Sequence, residues 1–273
     1  MLKIYYGSEA AEKENFILDH IDTGKKTILL VPDQYSLQME RDALAHFRSR
    51  GCALINFTVA DFSSLGDKVV RDSDSREPEL IDKYGRHMLL ALLIDKLSGE
   101  LGVYKKMSGR NSFTSLMNKL ISEMKQYGTE PGDLLDVPME GPGIASSYLE
   151  YKLKDIEKIY SEYEDAIEGK FLDSEDYIKF YGNLILQADI VKGADIWVYG
   201  FDTFTPLNIQ VMQSLLRVSH ALNVVMTCEY EDDRSPDMPM DARALAPGEG
   251  EGLFALPKYV IRQLADMADQ AGE

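Results

Sequence analysis

Cysteine, histidine and basic side chains are scarce in this sequence, and each shortage excludes a class of protein. The two cysteines, Cys52 and Cys228, are too few for a disulfide scaffold and offer no CxxC pair for zinc or an iron–sulfur cluster. The four histidines are widely separated and form no HExxH motif, so no metal site is predicted. With 29 basic and 46 acidic residues, the net charge of −17 disfavours a broad electrostatic grip on nucleic acid.

Long apolar runs and a leader-like N-terminus are also missing. No run approaches the roughly 18 apolar residues that cross a bilayer. Residues 1–7 lack the basic-then-apolar build of a signal peptide, so we expect a cytoplasmic protein without membrane contact. The 273 residues are 45% hydrophobic and 27% charged, which is ordinary for a folded chain of one large domain or two small ones.

Strand-like and helix-like stretches alternate at both ends of the chain. Strands are predicted at residues 3–7, 27–31, 53–58, 195–200 and 222–228, with helical stretches between them. A short, continuous apolar run such as Ile28-Leu-Leu-Val31 is typical of a parallel strand that is buried on both faces. This alternation predicts an α/β fold with a parallel sheet.

The middle of the chain is predicted to be a helical insertion. After a polar stretch at 72–79, apolar residues recur at three- and four-residue steps, as on amphipathic helices. The predicted core is therefore residues 1–75 and 191–273, and the insertion is residues 76–190. One predicted amphipathic face carries Ile81, Tyr84, Met88, Leu89 and Leu92. Tyrosines 148, 151, 160 and 163 are predicted to pack, and residues 229–252, with eight acids and two bases, to form an acidic loop.

The loop after the first predicted strand has the spacing of a phosphate-binding P-loop, but only in part. Gly7 and Lys13 fit the pattern G-x4-G-K-[ST], whereas Glu12 replaces the second glycine and Glu14 replaces the hydroxyl residue that holds Mg²⁺. The two glutamates would repel a triphosphate. We therefore predict a degenerate nucleotide site that has lost its function.

The strand that should supply the acidic partners of a P-loop also lacks them. A working site has Asp-Glu at the strand end, where the acids hold Mg²⁺ and orient the attacking water. Here the strand ends in Tyr199-Gly200, and the nearest acid, Asp202, is predicted to be a turn or helix-cap residue. The sequence predicts no metal-binding pair at this strand.

Several segments, in order along the chain, resemble the N-terminal region of the AddB (RexB) family, which provides one of the two subunits of the bacterial ATP-dependent AddAB helicase–nucleases. The most specific are Leu30-Val-Pro-Asp-Gln-Tyr-Ser-Leu-Gln-Met-Glu-Arg41 and Gly200-Phe-Asp-Thr-Phe-Thr-Pro206, while the helical middle is weaker evidence. The resemblance implies a P-loop NTPase-like core, similar to the first motor domain of a superfamily 1 helicase, with a helical insertion. It also implies that 32–41 and 62–65 correspond to helicase segments that touch single-stranded DNA, with Gln34, Ser36, Ser63 and Ser64 as contact candidates.

The resemblance further implies that the chain is an N-terminal part of a longer subunit. In that family the nuclease domain and the iron–sulfur cysteines lie beyond the segment that these residues match, and the A subunit is the ATP-driven motor. Any catalysis is therefore expected from the longer protein, an exodeoxyribonuclease subunit, rather than from these residues.

The sequence-based hypothesis is a motor-inactive DNA-scanning and scaffolding module for double-strand-break repair, in contact with the A subunit and with single-stranded DNA. Two rivals stay open. One is a P-loop ATPase in which Lys13 still grips phosphate, and the other is an α/β protein-interaction domain without DNA contact.

Overall fold

The computed structural model describes residues 1–7, 12–53, 55–136, 144–228 and 255–272. Within these ranges one sheet contains the strands β1 (Leu2–Gly7), β2 (Thr27–Leu30), β3 (Phe57–Ala60), β4 (Asp195–Tyr199) and β5 (Ala221–Thr227). The helices of the same ranges are α1 (Lys13–His20), α2 (Asp33–Ser49), α3 (Phe62–Asp72), α4 (Lys83–Leu97), α5 (Asn111–Gln126), α6 (Ile144–Ile167), α7 (Ser174–Leu184), α8 (Pro206–Val218) and α9 (Ala255–Ala271). The predicted acidic loop at 229–252 lies outside the described residues.

The chain divides into two compact units. The first, Met1–Arg76 with Phe180–Glu273, contains the sheet, and the second, Glu77–Lys179, is helical. The predicted α/β class and parallel sheet are confirmed. In the part of the chain that the structure describes, no helix combines the length and apolarity needed to cross a membrane.

All strand pairs are parallel, in the order β1-β5-β4-β2-β3. Leu29 in β2 lies opposite Val59 on one side and Trp197 on the other. The third strand begins at Phe57, so the prediction of residues 53–58 is wrong at both ends. Ile55, inside the predicted run, is 82% exposed. Pairing with β2 fixes the position of β3, and apolarity alone could not reveal that register.

Both faces of the sheet are covered by helices. Every residue of β2 is buried, which requires cover on both sides because successive side chains point to opposite faces. On one face α1 and α2 pack against alternate strand residues in a cluster of Ile17, Leu18, Ile21, Leu29, Val31, Met39, Ala43, Phe47, Val59, Trp197 and Val225. α8, whose buried residues are not part of this cluster, packs against β5 and α9.

The helical unit has its own core, built by α4, α5 and α6. Its buried members are Leu90, Leu93, Ile94, Leu97, Leu101, Phe113, Met117, Ile121, Met124, Leu134, Ile156, Ile159, Tyr160, Tyr163 and Ile167. Two of the four predicted packing tyrosines are therefore buried, whereas Tyr148 and Tyr151 are exposed beside Lys152 and Lys154.

The prediction of an inward apolar face on α4 is wrong for three of its residues, whereas Leu89 packs partly against the core. Tyr84, Met88 and Leu92 are each about 70% exposed, and the opposite side of the helix is buried. α4 is apolar on both sides, so its periodicity fits two faces equally well. Arg86 lies on the buried side, where its guanidinium donates to the Glu175 carboxylate at 2.8 Å.

Candidate functional site

The strand order reverses direction between β2 and β4. The chain moves from β2 to β3 toward one edge of the sheet and from β4 to β5 toward the opposite edge, and β2 and β4 are neighbours. Right-handed connections then place α2 and α8 on opposite faces of the sheet, which opens a crevice between the carboxyl ends of β2 and β4. Open parallel sheets bind their ligands at such a point.

The turn after β4 touches the turn after β2 at this crevice. Gly200 has φ +83°, a left-handed conformation that favours glycine, and a Cβ there would lie 3.2 Å from Pro32 Cδ. The same added Cβ would lie 3.9 Å from Tyr35 Cδ2. Gly200 therefore allows the two turns to meet, with the half-exposed Tyr35 ring beside them.

Ser63 and Ser64 lie at the carboxyl end of β3, in the first turn of α3. Asp61 is the helix cap: its Oδ1 accepts from the backbone N–H of Ser63 at 2.6 Å and of Ser64 at 2.9 Å. The Ser64 hydroxyl accepts from the backbone N–H of Asp61, which completes a capping box. Ser64 thus stabilises the helix start, whereas the exposed Ser63 hydroxyl has no partner among the described residues.

Gln34 and Ser36 lie in the first turn of α2, at the carboxyl end of β2. Gln34 is exposed, and the Ser36 hydroxyl donates to the Asp33 carbonyl at 2.7 Å. The four predicted contact residues therefore all follow the carboxyl ends of β2 and β3, on one edge of the sheet. Of these four residues, Gln34 and Ser63 are the two whose side chains form no hydrogen bond with any residue that the structure describes.

Aromatic side chains at the same edge were not among the predicted contacts. Tyr35 is 51% exposed, and Phe201 is half-buried, with its ring centroid 5.4 Å from Phe62 and 5.5 Å from Phe204. Tyr35 and Phe201 lie in segments that follow the ends of β2 and β4, and this position is the sequence signal that could have identified them. Exposed aromatic rings can stack on nucleic-acid bases.

The edge is acidic. The segments 31–36, 61–66 and 200–206 contain Asp33, Asp61 and Asp202 but no lysine or arginine. Asp202 is exposed in the loop before α8, whose cap is Thr205 rather than Asp202. Because phosphate binding relies on basic side chains, this edge is better suited to contact bases than the phosphate backbone.

One replaced position of the P-loop pattern, Glu14, contacts the replaced acid position at the end of the partner strand, Tyr199. The Tyr199 hydroxyl at the end of β4 donates to Glu14 Oε1 at 3.2 Å. Burial and then the Glu14 carboxylate raise the pKa of Tyr199 to about 12, so the phenol stays protonated and keeps donating. In a working site these two positions hold a hydroxyl residue and an acid, which together bind Mg²⁺ at the triphosphate. Here they hold a carboxylate and a phenol that are hydrogen-bonded to each other.

Gly7 and Lys13 flank a loop of which residues 8–11 lie outside the described ranges. The Gly7 carbonyl accepts from the backbone N–H of Cys228 at 3.1 Å, which extends the pairing of β1 with β5. Lys13 is buried at the start of α1. In the described ranges, no cluster of three or more His, Cys, Asp or Glu side chains could hold a metal ion. Glu12 and Glu14 stand where the P-loop pattern has its second glycine and its Mg²⁺-holding hydroxyl, and neither supplies those groups.

Comparison with known proteins identifies the family. The model of the AddB N-terminal family matches residues 4–272. Relatives that are named as the B subunit of an ATP-dependent helicase/deoxyribonuclease are 28% identical over 231 residues in Clostridium tetani and 32% identical over 245 residues in Bacillus velezensis. These alignments cover 82% and 85% of this chain.

The chain belongs to the AddB family. It spans about a fifth of the length of the curated relatives that it matches, 20% in both of these cases. These relatives are named as subunits of a helicase/deoxyribonuclease. Within this AddB N-terminal region, the carboxyl edge of the sheet carries the candidate site.

Proposed function

We propose that these residues form a motor-inactive, DNA-contacting module of an AddB-type protein. The module would work in the cytoplasm beside the A subunit, which supplies the ATP-driven motor, during repair of double-strand breaks and recombination. The observation that supports a loss of motor activity is the hydrogen bond between the Tyr199 hydroxyl and the Glu14 carboxylate. It joins the two positions at which a P-loop helicase needs an acid and a hydroxyl.

The carboxyl edge of the sheet is the proposed contact surface for single-stranded DNA. Tyr35 and Phe201 offer ring surfaces for stacking, and Gln34 and Ser63 offer groups for hydrogen bonds to base edges. The acidic side chains of this edge oppose a phosphate grip, so we propose that it reads bases while other parts of the complex hold the backbone. The helicase-like interpretation of the sheet rests on the parallel strands and on the crevice between β2 and β4.

The nuclease and the iron–sulfur cluster of the family are assigned, in this proposal, to the part of the longer protein outside these residues. A [4Fe–4S] cluster needs four thiolates, and this chain has the exposed Cys52 and the buried Cys228. No catalytic role is proposed for these residues.

Nucleotide binding is tested by calorimetry of the chain with Mg²⁺–ATP. We expect no saturable heat up to millimolar ATP, because Glu12 and Glu14 repel the triphosphate and Glu14 is bonded to Tyr199. Micromolar binding that disappears in Lys13→Ala would instead establish the rival function, a P-loop ATPase with a degenerate but working site.

DNA contact is tested by fluorescence anisotropy with labelled single-stranded DNA and the longer protein in complex with its A partner. We expect Tyr35→Ala to weaken binding about 5- to 150-fold, since a base stacked on an aromatic ring contributes about 1–3 kcal/mol. The loss should be similar at low and high salt, because no phosphate contact is removed. Tyr127→Ala, at a tyrosine of comparable exposure in the helical unit, is the control. Equal affinity of all three proteins would favour the protein-interaction alternative.

A further inference from the structure

The outer edge of β3 has backbone groups that no strand pairs. Among the described residues β3 pairs only with β2, and the N–H groups of Thr27 and Val31 donate to the carbonyls of Asn56 and Ala60. Backbone groups of a parallel strand alternate between its two sides. The N–H and C=O of Phe57 and Val59 therefore point away from β2, toward the open edge.

A groove of about 320 Å³ lies along this edge. Its floor is Phe57, Thr58 and Val59, and its walls are Glu40 and Leu44 of α2 and Lys68 of α3. Leu44 is 61% exposed, although it is a large apolar side chain. Neither Glu40 nor Lys68 forms an ion pair or a side-chain hydrogen bond with any residue that the structure describes.

In the described part of the chain, the four residues of β3 carry none of the side chains that usually protect an open edge. Proteins block such edges with lysine or proline in the strand, with a bulge, or with a covering element. The sequence of β3 is Phe-Thr-Val-Ala, which contains neither a charge nor proline. Unpaired backbone groups, an apolar contact at Leu44 and a charge of each sign on the walls are the components of a site for an added strand.

We propose that this groove binds an extended segment of the same polypeptide from outside these 273 residues, paired as an added strand with Phe57 and Val59. The segment would place an apolar side chain against Leu44, an acidic one beside Lys68 and a basic one beside Glu40. The relatives are about five times longer than this chain, so a tethered segment is available at high effective concentration. This inference is independent of DNA contact and of nucleotide binding.

Amide hydrogen exchange, compared between this chain and the same chain extended to the length of its relatives, tests the pairing. In both proteins the amides of Thr58 and Ala60 should exchange slowly, because they face β2. The amides of Phe57 and Val59 should exchange fast in the 273-residue chain and at least about tenfold slower in the extended one. Equal rates in the two proteins would overturn the proposal. Protection in the short chain that rises with its concentration would point to a second copy and would also overturn it.

Two substitutions at Phe57 distinguish an added strand that pairs with β3 from a segment that only covers the groove. In the extended protein, Phe57→Pro and Phe57→Ala both remove the ring, but only proline removes the outward N–H. Proline is tolerated at the first residue of an edge strand. We expect Val59 to lose its protection in Phe57→Pro and to keep it in Phe57→Ala. Protection that persists in the proline variant, or that is lost in both variants, contradicts an added strand.

Discussion

Lys125 is a buried cation in the helical unit, and its removal gives a sharp test of that unit's energetics. Its side chain is 1% exposed, and its ammonium donates to Asp173 at 2.8 Å, Asp176 at 2.6 Å and Glu164 at 2.9 Å. The Tyr163 hydroxyl also donates to Asp173. Burial alone would lower the pKa of Lys125, but the attraction of Asp173 and Asp176 outweighs it and raises the pKa, so the amine is charged.

Removal of the Lys125 ammonium is expected to be costly because the surrounding side chains are mostly carboxylates. Arg86 donates to Glu175, and its guanidinium lies 3.9 Å from Asp173, so two buried cations face four carboxylates: Glu164, Asp173, Glu175 and Asp176. A third, partly exposed cation, Lys179, lies 3.8 Å from Asp176. In Lys125→Met the four carboxylates keep the buried Arg86, and Asp176 also keeps the partly exposed Lys179. Breaking a buried ion pair by removing one partner costs about 3–5 kcal/mol, because a buried charge is left without compensation. We expect a loss of this size at pH 8.

The loss should shrink at acid pH. Lys125 holds the pKa of Asp173 below its usual range despite burial, so this carboxylate stabilises the native state above the unfolded pKa, and the contribution fades as pH falls. Burial raises the pKa values of Glu164 and Asp176 even with Lys125 present. Without the ammonium these three carboxylates take up protons at higher pH, which relieves the repulsion. The difference between the two proteins should therefore be smaller at pH 5 than at pH 8.

Urea unfolding followed by far-ultraviolet circular dichroism measures the effect. With a slope of about 1–3 kcal/mol per molar urea, the expected loss lowers the midpoint of the helical unit by at least about 1 M. Trp197, the single tryptophan, is buried in the sheet, so its fluorescence reports on the other unit. Lys119→Met is the matched control on α5, where an exposed lysine pairs with Glu123, and it should change stability by less than about 0.5 kcal/mol. A loss below about 1 kcal/mol for Lys125→Met at pH 8, or an equal loss at pH 5, would refute the reasoning.

The effects of three further substitutions on the free energy of unfolding are measured by urea unfolding. Asp61→Ala removes the α3 cap and should cost about 1 kcal/mol. Gly200→Ala should cost about 1–3 kcal/mol, since alanine disfavours φ +83° and its Cβ presses on Pro32; a neutral result would show that the two turns can separate. Asp155→Ala should cost at least about 3 kcal/mol, because this buried carboxylate accepts from three consecutive backbone N–H groups at 102–104, and a loss near 1 kcal/mol would mean that water replaces it.

Much of the sheet could be predicted from sequence, because β2, β4 and β5 are short apolar runs that are buried on both faces. β3 could not be placed in the same way, since its position depends on a partner strand rather than on its own composition. The buried face of α4 was predicted wrongly for a related reason. When a helix has apolar residues on both sides, its sequence does not reveal which side packs against the core.

The predicted contact residues share one edge of the sheet, their contact with DNA stays a prediction, and their hydrogen bonds within the chain could not be foreseen from the sequence. The sequence resemblance led to Gln34, Ser36, Ser63 and Ser64, and the structure shows that all four follow strand ends on one edge. Hydroxyl groups near a helix start are commonly used by the helix itself, which is the case for Ser36 and Ser64. Only the three-dimensional arrangement reveals that use, and only it brings the exposed ring of Tyr35 beside the turn at Gly200.

The contact between Glu14 and Tyr199 occupies the positions at which a P-loop motor would have a hydroxyl and an acid. Glu14 lies in the first turn of α1, and Tyr199 is the last residue of β4. Once the acid and the hydroxyl are absent, a carboxylate and a phenol that bond to each other satisfy those positions without Mg²⁺. The sheet can then keep the crevice between β2 and β4 while its ligand changes, because function depends on the site rather than on the fold. Under the proposed function, the net charge of −17 and the acidic edge would limit these residues to local contacts with bases, and the A partner would supply the remaining contacts with DNA.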